Sequence, residues 1–495
     1  MIEIAEAQLN QSGLIPNEHT AQLKRSQCGT SCCCFLSERS APAWKKRVQE
    51  GAIPPILPSK TRPSTRTTTA SMHRFIKYLI STSAVLSYCS TIGLSSAHAA
   101  TSNQLEVFSY WTSGSEASAL DALFQVFKQG NPNVEVINAA IAGGSGTNAM
   151  PVLQARLAGG NPPDTWQSHP GQELFSRYVD PGFCQDITSI YQSENWNAVV
   201  PKSLIDQLSS KGKIYSVMTG VHRLNVLWYN KKVLDKNGIK IGDKISFVEF
   251  FAAAEKLKAA GVTPLAVGDS GIWASGDILE NVLLAKVGPK DWAGIFDGKL
   301  SWDSPKVKAA LAVYGKFLNY QNQDHSALSW DQAIKAVIDG RCAFSVMGDW
   351  SFGEFLKADQ KENQDFGWVA FPETDGDFLV VGDSFVAAKN APHGQMAIEW
   401  LKAIGSKEAQ LNFNKIKGSI PVRTDIDPKE LSVYQQWSMA DFKQAALVPS
   451  LFHGAAATPA LQQSIADAVS AFVANKNVNA FVKAVDSAAK DNVSN

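Results

Sequence analysis

The sequence predicts an α/β protein built as two lobes, and three observations carry that prediction. Across residues 105–166 the apolar pattern runs strand, helix, strand, helix, strand, the signature of a parallel doubly wound sheet. A second run of α/β material, residues 213–347, follows as a separate set of elements. At 495 residues the chain is also longer than one ordinary core organises.

The amino-terminal part does not share this pattern. Residues 72–99 have a basic start (His73, Arg74, Lys77), a short apolar middle and a small-x-small end at Ala97-His98-Ala99, which reads as a secretory signal peptide cleaved after Ala99. A transmembrane anchor fits less well, because Ser and Thr interrupt residues 78–96 and no clean run of about 18 apolar residues remains. A signal peptide should open its reading frame, so translation is expected to begin at Met72, with residues 1–71 a start-site error or a disordered leader.

Removing residues 1–99 takes away 11 of the 46 Lys and Arg and 5 of the 46 Asp and Glu, leaving the mature chain about six charges acidic. With no basic patch interleaved with aromatics, no nucleic-acid partner is expected. Five of the seven cysteines leave as well. Cys28 and Cys32 to Cys34 lack the paired spacing and histidines of zinc sites, so no metal is expected. The two that stay, Cys184 and Cys342, are exported to an oxidising compartment; a disulfide between them and two separate buried thiols are both open readings.

In chain order, residues 105–110 form a first strand. A helix follows with apolar residues at Leu120, Leu123, Phe124 and Phe127, stopped by Gly130-Asn131-Pro132. The stretch between them, Trp111 to Glu116, lies at the carboxyl edge of the strand, where open α/β sheets bind ligands. An indole suits the C–H face of a sugar and a carboxylate suits its hydroxyls. Ser113-x-x-Glu116 also fits a capping box, and Trp111 a core lid. Residues 134–141 are a second strand. Gly143-Gly144-Ser145-Gly146 reads as a turn before a helix ending at Gly159-Gly160, since it lacks the Lys-Ser/Thr of a phosphate cradle. A third strand begins at Asp164, and Gln167 and His169 lie just past it.

Residues 213–218 and 222–230 read as extended, 247–257 as a helix and 263–268 as a strand. Helices at 277–286, 304–320 and 330–339 then precede a strand at 342–347. Trp273, Trp330 and Trp350 all fall at element ends, which points to a shared aromatic cleft. Residues 378–387 read as two strands broken by Gly382-Asp383, 395–404 as a helix, 415–423 as an extended crossing, and 436–490 as helices around His453-Gly454.

Taken together, Ser109-Tyr110-Trp111-Thr112-Ser113-Gly114-Ser115-Glu116, the strand from Pro163-Asp164-Thr165, Lys213-Ile214-Tyr215 with Leu227-Trp228-Tyr229-Asn230-Lys231, Met347-Gly348-Asp349-Trp350 and Lys417-Gly418-Ser419-Ile420-Pro421-Val422-Arg423 resemble the extracellular solute-binding proteins of sugar ABC transporters (family 1), and within them the glucose/mannose-binding type. The resemblance covers residues 101–495. It implies a two-lobed periplasmic-binding-protein fold with a three-segment hinge and an interlobe ligand cleft. The crossings fall near residues 222–225, 379–383 and 418–427. Residues 100–222 with 383–420 would form the N-terminal lobe, and 223–382 with 421–495 the C-terminal lobe. It further implies that Trp111 stacks on the sugar, that Glu116, Gln167, His169, Asp383, Lys417 and His453 bond its hydroxyls, and that Trp330 or Trp350 covers it. His222, Trp273 and Asp349 rank behind these. One departure is Tyr110, where many members carry a second Trp.

The expected function is the periplasmic carbohydrate-binding component of an importer, a monomer that closes on glucose or mannose and passes it to membrane permease subunits, without cofactor or catalysis. The competing reading is a secreted glycoside hydrolase with Glu116 and Asp383 as its carboxylate pair. Lys417 argues against it by keeping those carboxyls ionised, whereas a general acid needs a raised pKa.

Overall fold

The fold was taken from a computed structural model, which describes residues 103–494. The expected leader and signal peptide lie outside the described residues.

The first sheet starts as the sequence predicts. Strand β1 (Gln104–Phe108) pairs in parallel with β2 (Glu135–Asn138) on one side and β3 (Thr165–Ser168) on the other. The intervening helix α1 (Gly114–Gly130) buries Leu120, Leu123, Phe124 and Phe127, the residues that set its 3.6 period. The long strand β4 (Ser216–Arg223) belongs to the same sheet. At residues 224–225 the chain crosses into a second sheet. That sheet consists of β5 (Val226–Asn230), β6 (Thr263–Ala266), β7 (Cys342–Val346) and β8 (Phe366–Ala370), in the order β8-β5-β7-β6.

Residues 371–376 carry the chain back, upstream of the expected crossing at 379–383. The reason is that residues 378–387 are not two strands. They lie in one 11-residue strand, β9 (Asp377–Ala387), antiparallel to both β3 and β4, and Gly382-Asp383 marks a bulge between Asp383 and Ser384 instead of a turn. Two further readings change. Lys415 to Lys417 end a helix, Lys407–Lys417, instead of opening an extended crossing. A short strand, β10 (Ala446–Pro449), lies in the carboxyl-terminal stretch expected to be all helix, and it pairs with β9 in the first sheet.

Each sheet has its own core. Leu105, Val107, Phe124, Trp166, Phe385 and Trp400 belong to the first, and Trp228, Phe250, Leu283, Phe317, Phe344 and Val469 to the second. Alternation along β9 divides its side chains between them: Phe378 and Val380 join the first core, Leu379 and Val381 the second. The disulfide reading is corrected here. Cys184 is a free, buried thiol in the first core and Cys342 a free, buried thiol on β7 in the second, so each packs as a small apolar side chain.

Candidate functional site

The crevice between the lobes is a narrow cavity, with about 20 Å³ of space for the centre of a water-sized molecule. Of the residues singled out from the sequence, Trp111, Glu116, His169, Trp330, Trp350, Asp383, Lys417, His453 and Trp273 line it. Gln167, His222 and Asp349 do not; they stand behind Asp383. Tyr110, Ser145 and Val381 also line it and were not picked out as contacts. Tyr110 was read as the end of a strand and Ser145 as part of a turn; the signal available was their adjacency to Trp111 and to a glycine-rich loop.

The first lobe supplies a charged wall. Asp383 continues the Leu379, Val381 alternation and so faces the cleft. Its Oδ1 accepts from Gln167 Nε2 at 2.9 Å, and its Oδ2 lies 3.0 Å from His222 Nε2. His222 is held in turn by Asp349 through Nδ1. Burial alone would raise the Asp383 carboxyl, but the His222 hydrogen bond and the charges of Lys417, His222 and His169 hold it far below the ordinary carboxylate range. Asp383 is therefore a fixed anion.

Lys417 comes from the last helical turn before Gly418. That glycine has φ +97° and a Cβ there would fall 2.3 Å from the Asp349 carbonyl oxygen, so only glycine ends the helix here. Lys417 Nζ donates to Glu116 Oε1 at 2.8 Å and lies 4.0 Å from Asp383 Oδ2, between the rings of Trp111 (5.4 Å) and Trp350 (5.5 Å). The capping-box reading of Glu116 gives way: Ser113 makes no side-chain cap, and the N-terminus of α1 is instead met by Glu354, whose Oε1 accepts from the Ser115 amide. The expectation that Lys417 keeps Glu116 readily ionised is also corrected. Burial outweighs the ion pair, and the Glu116 carboxyl lies above its ordinary value.

The second lobe supplies an aromatic wall. Trp273, Trp330 and Trp350 are each the first residue of a helix (Trp273–Val287, Trp330–Ile338 and Trp350–Lys357), so each ring hangs over a loop at a helix N-terminus. Glycines make room for them. A Cβ at Gly348 would meet the Trp350 ring at 2.3 Å, and one at Gly144, across the cleft on the first lobe, would meet Trp273 at 2.7 Å. His453 joins this wall, with its ring 5.2 Å from Trp350 and 5.9 Å from Trp273. Burial and the neighbouring His169 charge depress it well below the ordinary histidine value, so it is neutral.

Beneath His453 lies a buried acid pair. Glu280 accepts from Ser450 Oγ and the Leu451 amide, fixing the loop that carries His453. Burial and the adjacent Glu280 charge push Asp277 well above the ordinary range, and burial pushes Glu280 up to about 8.

The cleft thus has one charged and one aromatic wall, contributed by separate lobes. The pattern of the family described as bacterial extracellular solute-binding protein matches residues 122–446. The chain belongs to that family. This solute-binding protein is 36% identical over 381 residues to an uncharacterized ABC transporter extracellular-binding protein of Pyrococcus horikoshii, covering 76% of this chain and 85% of the relative. It is 34% identical over 408 residues to a probable sugar-binding periplasmic protein of Mesorhizobium japonicum, covering 79% and 96%. Among solved structures, a chitin oligosaccharide binding protein superposes with a TM-score of 0.70 at 18% identity, covering 79% of this chain and 99% of the other; at that identity the likeness concerns the fold.

Proposed function

We propose that this protein is the exported carbohydrate-binding component of an ABC importer, and that it closes its lobes around a single monosaccharide, glucose or mannose, for delivery to permease subunits in the membrane. The observation that carries the reading is the pairing of Asp383, Glu116 and Lys417 on one wall with three indoles on the other. A sugar presents hydroxyls around its rim and C–H groups on its faces. Hydrogen bonds to ionised groups contribute about 1.5–3 kcal/mol each, roughly twice the neutral kind, and the indoles cover the ring faces. The crevice is narrow, so the lobes must part to admit a ligand, and one ring needs less room than a chain. The similarity to a probable sugar-binding periplasmic protein supports the same class. Because ligand can favour closure only through contacts made in the closed state, residues of both lobes must touch it.

Hydrolysis fits the site less well. Asp383 is engaged by Gln167 and His222, which blunts it as a nucleophile.

Calorimetric titration of the purified protein with glucose, mannose, galactose, xylose, arabinose and a set of disaccharides tests the proposal. One-site binding of a hexose, with disaccharides weaker, is the expected result. Binding of none, or turnover of any to product, overturns it.

A further inference from the structure

His169 was expected to bond a sugar hydroxyl directly, but both of its ring nitrogens are already engaged. Nδ1 lies 2.9 Å from Glu173 Oε2, and Nε2 lies 2.9 Å from the phenolic oxygen of Tyr110. Glu173 grips the residue a second time, its Oε1 accepting from the His169 amide at 3.1 Å. Both residues line the cavity, but His169 is 2% exposed whereas Tyr110 is only partly buried, so Tyr110 is the more open of the two.

The direction of the bonds matters. The Glu173 charge and hydrogen bond outweigh burial and raise the His169 pKa, which favours the ring protonated on both nitrogens, and in that form Nε2, 2.9 Å away, donates to the Tyr110 oxygen. The phenol's own proton must then point elsewhere. Its protein acceptor is Asp383 Oδ1, at 3.4 Å, which is long for an O–H···O bond where about 2.7–2.8 Å is usual. That acceptor is also already served by Gln167 Nε2. A donor with a fixed position and a poor partner faces the cleft.

Resting on the monosaccharide reading above, we infer that Tyr110 is a specificity-determining contact of this protein: its hydroxyl donates to one oxygen of the bound sugar, and His169 and Glu173 are positioning residues that act through it. An indole N–H could not accept from His169 and donate onward as a phenol does. The Tyr110–His169–Glu173 chain thus fixes a hydroxyl at the cavity wall, where it can read one of the sugar's own.

The test pairs Tyr110→Phe with deletion of single hydroxyls from the ligand. Wild type, Tyr110→Phe and His169→Gln are titrated with whichever of glucose, mannose, galactose, xylose and arabinose binds wild type most tightly, and with each of its monodeoxy analogues. Thermal melts confirm that the variants fold. The expected result is a loss of roughly tenfold for the parent sugar in Tyr110→Phe, the range of one neutral hydrogen bond. That loss should vanish for one monodeoxy analogue only, and His169→Gln should lose selectivity at the same position. Equal weakening of the parent and every analogue would show that Tyr110 only supports its neighbours. An unchanged affinity, or a different deoxy position for His169→Gln, would also overturn the inference. Failure of the wild type to bind any of these sugars would instead strike the monosaccharide reading itself.

Discussion

The two walls of the cleft solve different problems with different chemistry. On the first lobe, Asp383, Glu116 and Lys417 form a network in which each charge has a partner within the protein before any ligand arrives. Such groups are preorganised, and a ligand lacking one hydroxyl would leave one of them unpaired. On the second lobe, Trp273, Trp330 and Trp350 offer flat faces that discriminate little between hydroxyl patterns but lose water on closure. The difference teaches that selectivity and grip are separable: on the proposed reading the first wall would choose the sugar and the second would reward shutting on it.

Breaking the charged wall should have the largest effect. Asp383→Asn keeps the shape but removes the anion that faces His222 and Lys417, and sugar affinity is expected to fall by about 3 kcal/mol or more, at least a hundredfold, by calorimetry. Comparable affinity in the variant would refute the assignment of selectivity to this wall. On the aromatic side, Trp350→Ala should weaken all bound sugars by a similar factor of about ten without changing their order, with a stability loss of about 3–5 kcal/mol by denaturant melts. A reordered preference would erase the distinction between the walls.

A finer test concerns what supports His453. The folded Asp277–Glu280 pair binds its proton more tightly than unfolded carboxyls do, with Glu280 pushed up to about 8. Stability therefore falls as pH rises from about 4.5 toward 8. Asp277→Asn removes one of the two raised carboxyls, so its melting temperature should gain on wild type across that window. An advantage that did not grow with pH would contradict the raised Asp277 carboxyl. The smallest effect is expected from reductant. With Cys184 and Cys342 in separate cores, dithiothreitol should leave the melting temperature unchanged, and a drop would revive the disulfide.

Much of this was legible because strands announce their ends. Trp111 and His169 follow runs whose alternation or apolar continuity marks β1 and β3, and Trp330 begins a helix with a Ser329 capping box. The rest was hidden by local signals that tertiary packing overrides. Gly382-Asp383 carries turn chemistry, yet the strand continues through it, because β3 and β4 flank it and absorb the irregularity as a bulge. Lys415 to Lys417 read as part of an extended crossing beside Gly418 and Pro421, but they end a helix that buries Lys417 against two indoles and Glu116. Asp277 and Glu280 sit inside an apolar helix, where nothing in the sequence says that their carboxyls meet the His453 loop. The double engagement of His169 depends on where Tyr110 and Glu173 fold back to, which spacing does not encode.

The claim on which these distinctions depend is that one sugar ring sits between the two walls. A crystal structure of the protein with its tightest monosaccharide tests it most directly. The account predicts the ring between Trp111 and the Trp273, Trp330 and Trp350 face, with hydroxyls on Asp383, Glu116 and Tyr110. A sugar touching one lobe alone, or lying outside this crevice, would contradict it.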